Sequence, residues 1–168
     1  MTRSRKPSQP FEPDPPFDIP EREPPKSVLD FREKLKARFP EDAARATANT
    51  EQYWGRPWEE ITDYGCGVWF EKFGAQTAAA MRRRDEETVL AHLQCISEKL
   101  QTADKQLADA IDVSYMENLF YKLDKRSQRW GWLRIPQNLK DLYIQFWGVI
   151  GPSRIEALER NRRRKKAP

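Results

Sequence analysis

Apolar residues recur through the middle of the chain at intervals of three and four. Val28, Phe31, Leu35 and Phe39, with Leu29 beside them, predict a helix that opens on Ser27 as its cap and stops at Pro40. Glu41 to Asn49 is Ala-rich and predicts a short helix that packs weakly, because it carries few large apolar side chains. Gly55-Arg56-Pro57 reads as a turn with Pro57 in the first turn of the next helix. From Trp58 onward Ile61, Gly65, Val68 or Trp69, and Phe73 keep helical spacing, which predicts a helix over about residues 57–83, bent near Gly65-Cys66-Gly67. Two glycines this close cost roughly 1 kcal/mol each relative to alanine. A close helix–helix approach offsets that cost, and Ala75, Ala78, Ala79 and Ala80 continue the small face.

Val89, Leu93, Ile96 and Leu100, with Leu90 adjacent, form a stripe on a helix from Asp85 to Leu100, and its first turn holds Asp85, Glu86 and Glu87 where the helix dipole favours negative charge. Thr102 is the expected cap of a further helix that starts at Lys105, carries Leu107, Ile111, Tyr115, Leu119 and Leu123, and kinks at Asp112-Val113-Ser114. Arg126 to Ile135 reads as an aromatic loop around Trp130-Gly131-Trp132. Pro136 to Trp147 predicts a helix with Leu139, Leu142 or Tyr143, and Phe146 inward, ended by Gly148 and Gly151-Pro152. Ile155 and Leu158 open a last helix that runs into the basic residues. No stretch alternates with period two, and fifteen Ala and twelve Leu against five Val favour helix. The expected fold is all-α, an antiparallel helical bundle or a short stacked-hairpin, solenoid-like array of about five to seven helices.

Both ends depart from this pattern. Residues 1–26 hold eight of the thirteen prolines, and proline neither donates a backbone hydrogen bond nor tolerates helix before it. They read as an extended or disordered arm whose large apolar residues are Phe11, Phe17 and Ile19. Residues 27–158 form the helical domain and 159–168 a basic tail. The formal charge of +4 is unevenly placed. Residues 27–80 and 81–125 each carry seven positive and nine negative groups, whereas 126–168 carry eleven against three. The body is mildly acidic and the excess of cations lies at one end.

The chain has no apolar run near the ~18–20 residues of a membrane span and no secretory signal pattern, so a cytoplasmic protein with no membrane partner is expected. Cys66 and Cys95 form no Cys-x-x-Cys pair and read as buried thiols. The lone histidine, His92, lies between Leu90 and Leu93 and has only Cys95 near it at ligand spacing, so it reads as a core histidine and no metal site is expected. Gly65-Cys66-Gly67 is short, has no Lys-Ser/Thr after it and follows no strand, which makes it a poor match to a phosphate loop, and no Gly-x-Ser-x-Gly elbow exists. A non-enzymatic protein without catalytic residues or cofactor follows as the expectation.

Candidate binding residues fall in three groups. Glu59 and Asp63, then Asp109, Asp112 and Glu117, share helix faces by spacing and offer carboxylates to a basic partner. Trp130 and Trp132 stand near Arg126, Arg129 and Arg134, a composition typical of protein-interface anchors, with core packing as the competing role. Arg162, Arg163, Arg164, Lys165 and Lys166 can contact phosphate, though no aromatic residue interleaves them for stacking on bases.

The helix with Tyr115-Met116-Glu117-Asn118-Leu119, the polar linker after it, Leu139 to Trp147 and Gly151-Pro152 resemble a family of small helical bacterial domains of unknown function, which look like the stacked-helix immunity proteins of toxin systems. The resemblance implies a protein that neutralises a cognate toxin by occluding its active site. The competing expectation is a nucleic-acid-associated or scaffold protein that uses the basic tail.

Overall fold

The structure, a computed structural model, describes residues 24–61, 63–148 and 151–154, without the side chains of residues 63 and 64. It is an all-α helical bundle, as the apolar spacing predicts. Helix α1 spans Lys26–Arg38, α2 Pro40–Trp54, α3 Asp63–Arg83, α4 Glu86–Leu100, α5 Lys105–Asp109, α6 Lys125–Trp132 and α7 Gln137–Trp147. A 3-10 turn, Trp58–Glu60, precedes α3, and a π-helical segment, Ala110–Met116, continues directly from α5. The expected Pro-rich arm through residue 23 and the basic residues Arg160 to Lys166 lie outside the described residues, as does the expected helix from Ile155.

Helix α3 is the hub. It packs against α2, the π segment, α4 and α6. Trp69, Phe70 and Phe73 on α3 are fully buried, with Trp69 stacked on Phe73 at 5.4 Å and Phe31 of α1 stacked on Phe70 at 6.0 Å. The small face of α3 does allow close approach. A Cβ on Gly67 would stand 3.2 Å from Ser114 Oγ, and one on Gly74 3.3 Å from the Tyr115 ring, so both glycines admit the π segment. Gly131 does the same for α6, because a Cβ there would collide with Met81 Sδ.

Several boundaries differ from the sequence expectation, each for a local reason. Helix α1 begins one residue earlier, with Pro25 in the cap position and Ser27 inside the first turn. Helix α2 starts on Pro40 itself, runs five residues beyond Asn49 and makes the most extensive helix pairing in the fold, against α3. Its small side chains are the cause: Ala43, Ala46 and Thr50 are buried, so the two backbones come close where large residues would hold them apart. The single helix expected over 57–83 is divided between the 3-10 turn and α3. Asp104, not Thr102, caps α5, accepting from Leu107 N at 2.9 Å. The kink expected at Asp112-Val113-Ser114 is the π-helical segment, in which Glu117 N donates to Asp112 O at 3.0 Å, five residues back. That wider ladder ends the helix at Met116, and Asn118 Nδ2 serves the Ser114 carbonyl at 3.3 Å. The expected aromatic loop is helix α6, because Asp124 caps it: Oδ1 accepts from Arg126 N at 2.9 Å and Ser127 N at 3.0 Å, and Oδ2 from Ser127 Oγ at 2.8 Å.

Candidate functional site

A buried polar chain inside the bundle is centred on His92, which is fully buried on α4. Its Nδ1 lies 3.0 Å from Thr77 Oγ1 on α3, and Thr77 Oγ1 lies 3.0 Å from the Tyr115 hydroxyl on the π segment. Its Nε2 faces α2, where Asp42 Oδ2 stands at 3.3 Å, within ion-pair range but out of hydrogen-bond alignment. Phe39 meets the imidazole edge-on at 4.4 Å and Phe73 lies at 4.8 Å. With the proton on Nε2, towards the carboxylate, Tyr115 donates to Thr77 and Thr77 donates to Nδ1, so the two internal hydroxyls are used without a spare donor.

The order carboxylate, imidazole, hydroxyl looks like a nucleophilic triad but runs the wrong way for one. Thr77 is fully buried and holds the closed end between α3 and the π segment, while Asp42 is the member at the surface. A substrate would meet the carboxylate first and never the hydroxyl. Tyr115 is likewise sealed, and burial pushes its pKa well above the usual tyrosine value.

The open end is a cleft of about 360 Å³ between the starts of α2 and α4. Phe39, Pro40 and Ala91 supply apolar wall, and Glu41, Asp42 and Glu87 supply carboxylates. Asp42 Oδ1 and Glu41 Oε2 hold Arg45 at 3.0 and 3.2 Å. Burial lowers the His92 pKa from 6.5, outweighing the carboxylates of Asp42 and Asp85, which raise it. The folded chain therefore binds fewer protons at His92 than the unfolded chain once pH falls through about 6.5, and stability is lost in that direction. The cap carboxylates Asp85, Asp104 and Asp124 are held below 3.8 chiefly by backbone N–H donors, so their contribution disappears only at lower pH. Urea unfolding between about pH 7 and 5 is expected to show stability falling with pH by up to about 1.4 kcal/mol per unit. A flat profile over that window contradicts the buried neutral imidazole.

A second feature lies on the outer face of α3. Tyr53 on α2 is 63% exposed and Tyr121, after the π segment, is 78% exposed. Between them Lys72 Nζ sits 4.9 Å above the Tyr53 ring and lines two adjoining hollows, one with Asn49 and Gln52, the other with Ala75, Arg82, Asn118 and Tyr121. Arg82 Nη2 donates to Lys122 O at 2.7 Å, which holds the Tyr121 turn against α3.

Residues 32–148, well over half of the chain, match a domain of unknown function, DUF7674. The chain belongs to the DUF7674 family. No curated protein and no solved structure matches it. The stretch matched by DUF7674 runs from α1 to the residue that ends α7, and contains the His92 relay, the acidic cleft and the tyrosine face. Family membership agrees with the coarser part of the resemblance, a domain of unknown function, and carries no link to immunity proteins.

Within this DUF7674 domain the described sequence-derived candidates lie on several elements. Glu59 is exposed on the 3-10 turn, where its charge acts on the buried guanidinium of Arg32. Asp63 opens α3, with its side chain outside the described residues. Asp109 is exposed, and Asp112 and Glu117 are half-buried along or just beyond the π segment. Burial, reinforced by the Asp109 charge, raises the Asp112 carboxyl. Trp130 is half-buried beneath two guanidiniums of its own chain, Arg134 at 3.7 Å and Arg84 at 5.2 Å. Trp132 is 2% exposed, so the expected anchor is a core residue: the helix that replaces the loop turns it inward. Arg162, Arg163, Arg164, Lys165 and Lys166 lie outside the described residues. No group of three or more His, Cys, Asp or Glu among the described residues is arranged to hold a metal ion, and no described helix is long and apolar enough to cross a membrane.

Sequence reasoning missed Thr77, Tyr53 and Tyr121 as site residues. Thr77 had a faint signal, a hydroxyl within the small stripe of α3 between Ala75 and Ala78. Tyr53 and Tyr121 had none of their own, since an aromatic residue in an expected helix reads as core until its exposure is known.

Proposed function

We propose that this DUF7674 chain is a non-enzymatic protein-binding domain, acting in the cytoplasm, that covers the active surface of a toxin or effector in the manner of an immunity protein. The observation that carries the binding part is the face of α3 flanked by Tyr53 and Tyr121. Two tyrosines at 63% and 78% exposure, with Lys72, Asn118 and Arg82 between or beside them, have the composition of an interface centre rather than of an ordinary solvated helix. The Lys72 ammonium there is held both by the Tyr53 ring and by Glu71 at 2.9 Å, so little of its ordering is lost when a partner docks. The immunity role rests on the sequence resemblance and on the buried, inward-facing arrangement of the one hydroxyl–imidazole–carboxylate series.

The test is co-expression with the product of the adjacent gene. The expected result is that the two co-purify and that this chain relieves the growth arrest the neighbour causes alone. A neighbour that neither arrests growth nor co-purifies overturns the immunity role.

A further inference from the structure

Beside Tyr121, helix α3 and the turn after the π segment line a hollow of about 180 Å³. Ala75 and Ala78 line it as small apolar residues, and cations reach it from both elements, Lys72 and Arg82 from α3 and Lys122 from the turn. Glu71 is the one carboxylate among the described residues that line it, and it is paired with Lys72 at 2.9 Å. Arg82 and Lys122 make no ion pair among the described residues. This gathering of cations runs against the rest of the body, where residues 27–80 and 81–125 each carry seven positive against nine negative groups.

The cations are placed before a guest arrives. Arg82 Nη2 donates to Lys122 O at 2.7 Å, which uses one of the five guanidinium N–H donors and anchors the group between helix and turn. The Lys122 ammonium takes no part in that bond, so its charge adds to that of Arg82 at the same hollow.

The lining defines the guest. Two cations without a carboxylate call for an anion, and a guanidinium suits a carboxylate because its N–H fork matches the two oxygens. Ala75 and Ala78 offer apolar surface to an aliphatic stem. A row of phosphates fits less well, because Glu71 interrupts the cations and sets a like charge in the path of a polyanion. We propose that the hollow receives a glutamate side chain of the protein partner, its stem against Ala75 and Ala78 and its carboxylate between Arg82 and the Lys122 ammonium. Tyr121, 78% exposed at the edge, then covers the ion pair from water as the partner docks. The proposal deepens the reading of the tyrosine face and rests on it for one thing, that a protein carries the carboxylate.

The experiment titrates the full chain, followed by its backbone amide resonances, with acetyl-Ala-Glu-Ala-amide, and in parallel with the glutamine tripeptide, which has the shape without the charge. The glutamate tripeptide is expected to shift the signals of Ala75, Asn118 and Tyr121 saturably, more weakly as salt is raised, while the glutamine tripeptide leaves them in place. Lys122→Gln keeps the backbone bond to Arg82 and is expected to weaken binding at least about fivefold, the worth of one close charge in water. Arg82→Gln removes a charge-assisted hydrogen bond and is expected to weaken it at least about tenfold. Lys34→Gln, the same charge change at an exposed position of α1 that does not line the hollow, is expected to leave it unchanged. No shift, an equal shift with the glutamine tripeptide, an undiminished response in K122Q, or an equal loss in K34Q overturns the proposal. Tighter binding of hexathymidylate that is lost in K122Q also overturns it, in favour of nucleic acid. The tripeptide probes the hollow without a partner, so its failure leaves the co-expression result standing, and a failed co-expression leaves the tripeptide result standing.

Discussion

Trp132→Ala is expected to destabilise the fold by about 3–5 kcal/mol, the range for removing a fully packed aromatic side chain. Trp132 is 2% exposed and sits between Phe120 at 6.0 Å and Tyr143 at 5.5 Å, with Lys140 Nζ 5.3 Å from its ring. It therefore ties α6 to α7 and to the turn after the π segment. The cavity left by alanine has little room to collapse, because the neighbouring Gly131 already brings α6 hard against Met81. Urea unfolding of wild type and variant measures the difference. A change within about 0.5 kcal/mol, the usual range for exposed positions, returns Trp132 to the role of a surface anchor.

The paired substitution Tyr53→Ala and Tyr121→Ala is expected to do the reverse, sparing stability and abolishing partner binding. Each ring is mostly in solvent, so its removal opens no cavity. Tyr53 loses an edge-on contact with Trp54 at 5.3 Å and the Lys72 cation above it, both at the surface, where such contacts are worth about 0.5–1 kcal/mol. At a buried interface centre a tyrosine contributes about 2 kcal/mol or more on truncation, and two of them, allowing for non-additivity, correspond to at least about a hundredfold in affinity.

The two substitutions also show where the sequence was legible. Helical periodicity located α1, α3, α4 and α7 because each carries large apolar residues on one face, and the all-α class follows from them. Composition located α2 as an Ala-rich helix, but its length and its close packing on α3 were not legible, because it buries Ala43, Ala46 and Thr50, which leave no apolar stripe to read. Periodicity failed at Arg126 to Ile135, where three arginines and two tryptophans read as a loop although Asp124 stands in the cap position of a helix. The π segment was visible only as a kink, since widening a helical ladder leaves side-chain spacing nearly unchanged. The His92 relay joins residues 15 and 38 positions apart and was not legible at all, because such pairings depend on which helices meet. The acidic candidates were chosen by shared helix faces, whereas the carboxylates that line the cleft, Glu41, Asp42 and Glu87, come from two helices.

The central claim is that the Tyr53–Tyr121 face of α3 is the partner-binding surface. Calorimetric titration of the adjacent gene's product with wild type and with the Y53A/Y121A variant tests it most directly, with unfolding curves to show that both chains are equally folded. The expected result is a complex for wild type and at least about a hundredfold weaker binding for the variant at unchanged stability. Equal affinity for the two chains contradicts it.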